Sequence, residues 1–231
     1  MKKISNKNKI DYVAIASHQM RTPLTLMKGY LAMILAGEFG TIDKLELKKA
    51  LENVYHSNEE LISLVENLLI KSRLETHDLK INRQQINIKK IMETVISDMM
   101  PKAYAKGLEL MSTDNNISGR IKADPLLIRQ IFVNLIDNAI AYTKKGRVKV
   151  SLKQSEKRVT ITVIDTGTGL TARQLKMLFS KFQLPYFISP QGGFGLGLYI
   201  VGLIVRSHGG KLLAKRGKSK GLEVICQLPI N

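Results

Sequence analysis

The first third of the chain carries apolar residues at helical spacing. Val13, Ala16, Met20, Leu24, Met27, Leu31 and Ile34 follow one another in alternating steps of three and four, except for two consecutive fours around Met20. Such a row marks one face of an α-helix, and the doubled four is a local stutter in a heptad pattern. The stutter coincides with Pro23. "GEFGTID" breaks the pattern, and a second stripe begins at Leu47. Leu47, Val54, Leu61 and Leu68 form one row of it; Leu51, Asn58, Val65 and Ser72 form the other. The pattern predicts a hairpin of two long helices. One hairpin cannot bury both stripes, whereas two copies paired as a four-helix bundle can, so the expectation is a two-fold dimer.

Beyond "SRLETHD" the texture changes, which sets a boundary near residue 75 and divides the chain into residues 1–75 and 76–231. "LKINRQQINI" reads as a strand, Ile88 to Lys106 as an amphipathic helix, and "LELMST" as another strand. "GRIKADP" leads into a helix from Pro125 to about Tyr142. "RVKVSLKQ" and "RVTITVID" alternate like paired strands, a glycine-rich segment follows, and a further helix runs from about Leu196 to Ser207. The strands "KLLAKR" and "LEVICQL" close the chain. Helices interleaved with hairpin-like strands predict an α/β sandwich with helices on one face of a mixed sheet. The expected class is therefore α+β, a helical hairpin followed by that sandwich.

Composition narrows the picture. With 231 residues and 44% apolar content, the chain is long enough to bury a sizeable core in one or two domains. A single cysteine, Cys226, excludes an intramolecular disulfide and points to a reducing compartment; in a terminal strand it reads as a buried thiol. The net charge of +17 suits an acidic protein partner, an anionic lipid or a phosphorylated ligand. Nucleic acid is not expected, because aromatic residues are scarce, tryptophan is absent and no recognition motif occurs. No apolar run reaches the ~20 residues that cross a bilayer. The lysine-rich start, "MKKISNKNK", lacks the apolar block of a signal peptide. The expected location is cytoplasmic, either free or as the cytoplasmic part of a membrane-bound sensor, since such flanks are rich in lysine and arginine.

Four short patterns in the second region carry candidate chemistry. In "NLIDNAIAYT", Asn134 and Asn138 are four apart and share a helix face. Their amide oxygens suit Mg²⁺ that already has phosphate and water ligands; the plain alternative is two surface asparagines. In "VIDTGTGL", Asp165 ends an apolar strand, with Gly167 and Gly169 after it. A carboxylate there can accept from an exocyclic amine, and the glycines let a planar ring approach the backbone; otherwise the pattern is a strand-ending turn. "LFSKF" offers Lys181 as a point charge for a terminal phosphate, or as an ordinary exposed lysine. "GGFGLGLYIV" places Gly193, Gly195 and Gly197 before an apolar helix, where free N–H groups and the helix dipole favour anions.

Together with "SHQMRTPLT" in the first region, these patterns resemble, in order, the boxes of the histidine protein kinases of two-component signalling. "SHQMRTPLT" resembles the phosphoacceptor box and the other four resemble the ATP-binding boxes. The likeness extends from about Asp11 to the end. It implies a dimeric helical-hairpin domain and a sandwich that binds ATP and Mg²⁺. It implies that His18 accepts the γ-phosphoryl group on its distal ring nitrogen. Asn134 and Asn138 would face Mg²⁺ and phosphates, with Asn138 the metal ligand, and Asp165 would hold the adenine amine. Gly193, Gly195 and Gly197 would border a lid from about Leu170 to Phe194. Tyr142, Gly167, Gly169, Lys181 and Leu196 fall in the same boxes and are expected to border the nucleotide. Pro23 has no N–H, so the carbonyl of Gln19 loses its helical partner and the helix should bend beside His18. Thr22 shares the face of His18; in relatives a hydroxyl or amide there positions water against the phosphoaspartate of a response regulator.

Two positions depart from the family's pattern. Gln19 stands where an acidic residue is common. Its amide can accept from the proximal ring N–H and fix the tautomer, but it cannot supply the negative charge that favours imidazolium. Ala141 stands where a basic residue often meets the phosphates; Lys144 and Lys145 are the nearby candidates to substitute. The implied activity is Mg-ATP-dependent autophosphorylation on His18 and transfer to an aspartate of a response regulator receiver domain, with phosphatase activity through Thr22. The alternative is a kinase-weak module that mainly binds and dephosphorylates the regulator. A hydrolytic ATPase of the gyrase or chaperone kind is disfavoured, because Asn134 occupies the place of its water-activating carboxylate. His56, His77 and His208 match no motif and read as surface or capping residues.

Overall fold

Helical spacing in the first third is realised in the backbone: α1 spans Lys7–Leu35, and helical turns at 46–55, 57–58, 61–62 and 65 make up α2. The computed structural model describes residues 7–35, 46–55, 57–58, 61–62, 65, 81–114, 117–177, 196–217 and 220–230, and within α1 the side chains from Met20 to Ile34. Two units separate, Met1–Ser72 and Arg73–Asn231. In the first, helical backbone continues on both sides of Pro23, whose ring is buried while Thr22 is exposed. Leu24, Leu31, Leu51 and Val65, all from the predicted stripes, remain 39–50% exposed, far more than apolar residues of a completed core.

The second unit holds together around α4 (Pro125–Tyr142), which is apolar on almost every side and accordingly buried. Ile128, Ile131, Phe132, Ile136 and Ile140 are fully excluded from solvent. Asp124 caps the helix: its Oδ1 accepts from the N–H groups of Leu126 (3.0 Å) and Leu127 (3.2 Å), and Pro125 occupies the first turn, where a missing N–H costs no bond. α3 (Ile88–Ala105) starts in the same manner from Asn87, whose Oδ1 accepts from Lys89 and Lys90. α4 packs against both α3 and α6 (Leu196–Ser207).

Beneath these helices lies a five-stranded sheet of order β2-β4-β5-β7-β6. Its strands are β2 (Leu108–Asp114), β4 (Gly146–Gln154), β5 (Arg158–Asp165), β6 (Lys211–Gly217) and β7 (Lys220–Pro229). β2 and β4 run parallel and the other pairs antiparallel, so the sheet is mixed. Val148, Val150 and Leu152 of β4 alternate with more exposed neighbours, as do Val159, Ile161 and Val163 of β5, which gives the sheet one buried face. Cys226 sits fully buried on β7, and burial pushes its thiol pKa up, in keeping with an inert core thiol.

The structure departs from the sequence reading in three places. β1 is only Gln84–Asn87, and it pairs with β3 (Arg120–Ala123) as a separate two-stranded antiparallel sheet. Four residues are too few to display a period, and "RIKA" becomes a strand through its partner. α5 (Ala172–Met177), six residues long, falls within the stretch expected to be a lid. His208, read as a surface or capping residue, is buried, with Nδ1 2.9 Å from the Ile204 carbonyl and Nε2 accepting from the backbone N–H of Asp124 at 3.2 Å. His56 and His77 lie outside the described residues.

The far end of α4 is closed by a lysine from the helix beside it. The Lys106 ammonium donates to the carbonyls of Ile140 (2.7 Å) and Ala141 (2.9 Å), placing a cation at the negative end of the helix dipole and satisfying two of its last carbonyls. Lys106→Met should lower the unfolding free energy of the α/β unit by about 1 kcal/mol. Denaturant titration checks this, and an unchanged midpoint would mean that water serves those carbonyls equally well.

Candidate functional site

Three pieces of chain meet around the C-terminal half of α4. Asn134 is buried and Asn138 half-buried, one turn apart on a common face. Both face the first turn of α6. A Cβ added to Gly197 would lie 3.3 Å from Asn134 Oδ1 and 3.3 Å from Asn138 Nδ2, tighter than an ordinary side-chain contact, so glycine suits this close approach of α6 to the amide pair. Among the described residues, Asn134 Nδ2 is the buried side-chain nitrogen or oxygen with no hydrogen-bond partner. An unmet buried donor costs about 1–3 kcal/mol, and here it sits beside a helix N-terminus, where backbone N–H groups are also unclaimed by the helix. The combination is a set of donors and amide oxygens awaiting a polar ligand.

The second piece is the end of β5. Asp165 is the last residue of that strand and is buried. Its Oδ1 accepts from the N–H of Gly167 (2.8 Å) and of Leu222 (3.2 Å). Burial raises its pKa above the ordinary carboxylate value, and those two backbone bonds pull the other way. The third piece is the loop after it. A Cβ on Gly167 would collide with the carbonyl oxygen of Tyr142 and lie 3.0 Å from Asp165 Oδ1, so Gly167 is wedged between the end of α4 and the carboxylate. Gly169 has φ +67°, a conformation that favours glycine, and is packed against the Lys220 carbonyl. Tyr142 lies half-buried in the last turn of α4.

The structure thus brings together Asn134, Asn138 and Gly197 on one side, and Tyr142, Asp165, Gly167 and Gly169 on the other, with α4 joining the two groups. Lys181, Gly193 and Gly195 lie outside the described residues, as do the side chains of His18, Gln19 and Leu196, whose backbones belong to α1 and α6. Lys144 and Lys145 are exposed just past α4. Two residues of the Asp165 seat are absent from the sequence reading, Gly221 and Leu222. A Cβ at Gly221 would overlap the Asp165 carbonyl, so the second residue of β7 has to be glycine. The signal was an isolated glycine at the head of a strand pattern, which marks a bulge or a close backbone approach.

A nucleoside phosphate fits this chemistry: a carboxylate for an amine, glycines that leave room for a ring, and amides beside a helix N-terminus for phosphate. Among the described residues no three His, Cys, Asp or Glu side chains gather. A divalent ion here would rely on an asparagine oxygen and on oxygens of its ligand, a donor set suited to Mg²⁺. Nor is any described helix long and apolar enough to cross a membrane.

Known proteins match both regions of the chain. Residues 8–77 match the His Kinase A (phospho-acceptor) domain, and residues 123–231 match the histidine kinase-, DNA gyrase B- and HSP90-like ATPase. Sensor protein SrrB of Staphylococcus aureus is 32% identical over 225 residues, which is 96% of this chain and 38% of that protein; the chain therefore spans well under half of that relative's length. The structure of histidine kinase AdeS from Acinetobacter baumannii superposes with a TM-score of 0.70 at 25% identity, covering 93% of this chain and 98% of that one. Histidine kinase ThkA, solved in complex with response regulator protein TrrA, has the same fold, with a TM-score of 0.69 at 23% identity over 96% of this chain and 61% of that one. A gyrase- or chaperone-like ATPase would lack the phospho-acceptor match. With a phospho-acceptor domain followed by an ATPase domain, the chain belongs to the histidine kinase family.

Proposed function

We propose that this core transfers the γ-phosphoryl group of ATP to His18 and passes it on to an aspartate of a response regulator receiver domain. The observation that carries the reading is the convergence of Asn134, Asn138 and Gly197 beside an unmet buried amide N–H, with the seated carboxylate of Asp165 beyond the far end of the same helix. Asp165 receives the adenine amine, and Gly167 and Gly169 admit the ring against the backbone. Tyr142, Leu196 and Lys181 border the nucleotide, and Gly193, Gly195 and Gly197 flank the phosphates. Asn138 holds Mg²⁺, with Asn134 turned to the phosphate side. When bound, Mg²⁺ supplies positive charge against the phosphate oxygens.

The transfer itself asks little covalent chemistry of the protein beyond its nucleophile. A lone pair on the distal nitrogen of His18 forms the bond to the γ-phosphorus. The bond from that phosphorus to the bridging oxygen breaks, its electron pair leaves with ADP, and the ring gives up its remaining proton to water. Gln19 accepts from the proximal N–H and holds the reactive tautomer. In the second transfer the nitrogen–phosphorus bond breaks as a carboxylate oxygen of the receiver aspartate takes the group. The ThkA–TrrA complex supports a receiver as the partner. The exposed stripe of Leu24, Leu31, Leu51 and Val65 supports a second copy of the chain as the other partner, closing a four-helix bundle. The likeness to a sensor protein supports a place at the cytoplasmic side of a longer, membrane-bound chain.

A second reading is favoured by Gln19 and by the exposed Thr22 one turn from His18: a module that mainly docks and dephosphorylates the regulator. Incubation with γ-labelled ATP separates the two. Acid-labile, base-stable label should appear in the wild type and vanish in His18→Ala while nucleotide binding persists; a wild type that never acquires label would rule out the kinase. Gln19→Glu should raise the initial rate at saturating ATP, because a general base contributes about 10²–10⁴-fold and an amide supplies only part of it. An unchanged rate in a folded variant would remove Gln19 from the mechanism. Asp165→Asn should weaken binding of an adenine nucleotide by about 10–100-fold, the scale of a hydrogen bond to a charged group. The same variant should be more stable than the wild type at pH 7. A raised folded-state pKa means that stability is lost as pH rises and the buried carboxyl ionises, a penalty the amide escapes; the difference should shrink as pH falls toward 4. Melting curves at the two pH values check the sign.

A further inference from the structure

The two helices that carry the proposed phosphate contacts run side by side in opposite directions. Gly197, in the first turn of α6, faces the late residues Asn134 and Asn138 of α4. At the other end, His208 follows the last turn of α6 and meets Asp124, the cap of α4. The backbone N–H of Asp124 donates to His208 Nε2 (3.2 Å), and Nδ1 lies 2.9 Å from the Ile204 carbonyl. Only a neutral ring with its proton on Nδ1 satisfies both, since an imidazolium has two donors and no acceptor for the Asp124 N–H. The chain leading into the unit is fastened at the same place. The N–H of Asn82 donates to Asp124 Oδ2 (3.0 Å), and Arg83 donates to the Ser207 carbonyl (3.2 Å).

We propose that His208 is a positioning residue for nucleotide binding: its neutral imidazole bolts the end of α6 to the start of α4 and so sets the gap between Gly197 and the Asn134–Asn138 pair. The inference rests on reading that gap as a nucleotide site. α6 is 12 residues long, a rod of about 18 Å, so a tilt at one end is delivered at the other. A side chain at Gly197 would stand only 3.3 Å from Asn134 Oδ1 and from Asn138 Nδ2, so the glycine face of α6 lies close to the amide pair and a tilt of the helix changes that gap.

The groups facing the ring set the direction of its titration. Burial lowers its pKa below the ordinary histidine value; the Ile204 carbonyl opposes this, Arg83 adds to it, and Asp124 opposes it. Arg206 of α6 itself is exposed. The bolt is therefore whole above about pH 6.5, the reference value for a free histidine, and is lost as pH falls through the lower folded-state value. Binding of nucleotide to the bolted form must, by linkage, hold the proton off the ring.

Mg-ADP binding to the full chain, measured by calorimetry at pH 7.5 and at one pH unit below the ring titration of His208 located by NMR, tests this with wild type and His208→Gln. The amide of Gln can still accept from Asp124 but does not titrate. Wild-type affinity should fall on acidification about five- to tenfold more than that of His208→Gln, the scale of one hydrogen bond. Protonation of the nucleotide itself is common to both proteins and cancels in the ratio. In the wild type alone, NMR titration of the His208 ring should show Mg-ADP raising its proton dissociation constant by the same factor. Equal pH dependence in the two proteins, or a ring titration indifferent to Mg-ADP, would overturn the proposal while leaving the nucleotide site intact. A wild type that binds no Mg-ADP at either pH would instead overturn the nucleotide reading and this inference with it.

Discussion

The α/β unit turns on one constraint, the burial of an unpaired amide in an otherwise apolar helix. Asn134 occupies a position where α4 presents its side chain to protein rather than water, between residues as fully excluded as Ile131 and Leu135. Left unmet, that donor works against folding by about 1–3 kcal/mol. The surrounding helix offsets it: each fully buried isoleucine or phenylalanine of α4 contributes about 1.5–3 kcal/mol of apolar burial, and both ends of the helix are capped by side chains. The apolar excess of α4 thus has a chemical purpose. It holds one polar group buried and in place beside the first turn of α6.

Asp165 repeats this logic at a strand end. Its carboxylate is kept from water, which raises its pKa, and two backbone N–H groups on Oδ1 only partly answer that burial. The seat is built from glycines at 167 and 221, each positioned where a Cβ would strike a backbone oxygen. A carboxylate buried this way is poor for stability and good for recognising a donor, because hydrogen bonds strengthen where water is excluded. Such compromises between fold and function concentrate where ligands bind.

Much of this was legible in the sequence, for physical reasons that also explain what was not. Helices α3, α4 and α6 announce themselves through apolar rows, and β4, β5 and β7 through alternation, because each buries apolar surface in the core of the α/β unit; α1 does so through a stripe whose leucines stay exposed. The candidate contacts Asn134, Asn138, Asp165, Gly167 and Gly197 were legible because their spacing is local: one helical turn, one strand end, one glycine-marked helix start. β3 escaped because four residues form a strand only when a partner, β1, is supplied from 36 positions earlier in the register Gln84↔Ala123 to Asn87↔Arg120. Gly221 and Leu222 escaped because their role lies in touching Asp165, 57 residues upstream at Leu222. The burial of His208, whose ring caps the Ile204 carbonyl, escaped for the same reason. Beside two glycines at the end of a helix it resembles a solvated cap, and nothing local discloses that Asp124, 84 residues away, donates to its ring.

The two units are unlike in structure yet alike in what they leave unfinished. The helical unit keeps leucines exposed along a stripe that a core would hide, and its histidine sits on a helix interrupted in its hydrogen bonding by Pro23. The α/β unit hides polar groups that water would have satisfied. An exposed apolar stripe is met by more apolar surface, and a buried polar group by a polar ligand; neither deficiency can relieve the other. On the function proposed above, a second copy would complete the helices and a nucleotide would complete the sandwich, so each deficiency has its own kind of complement.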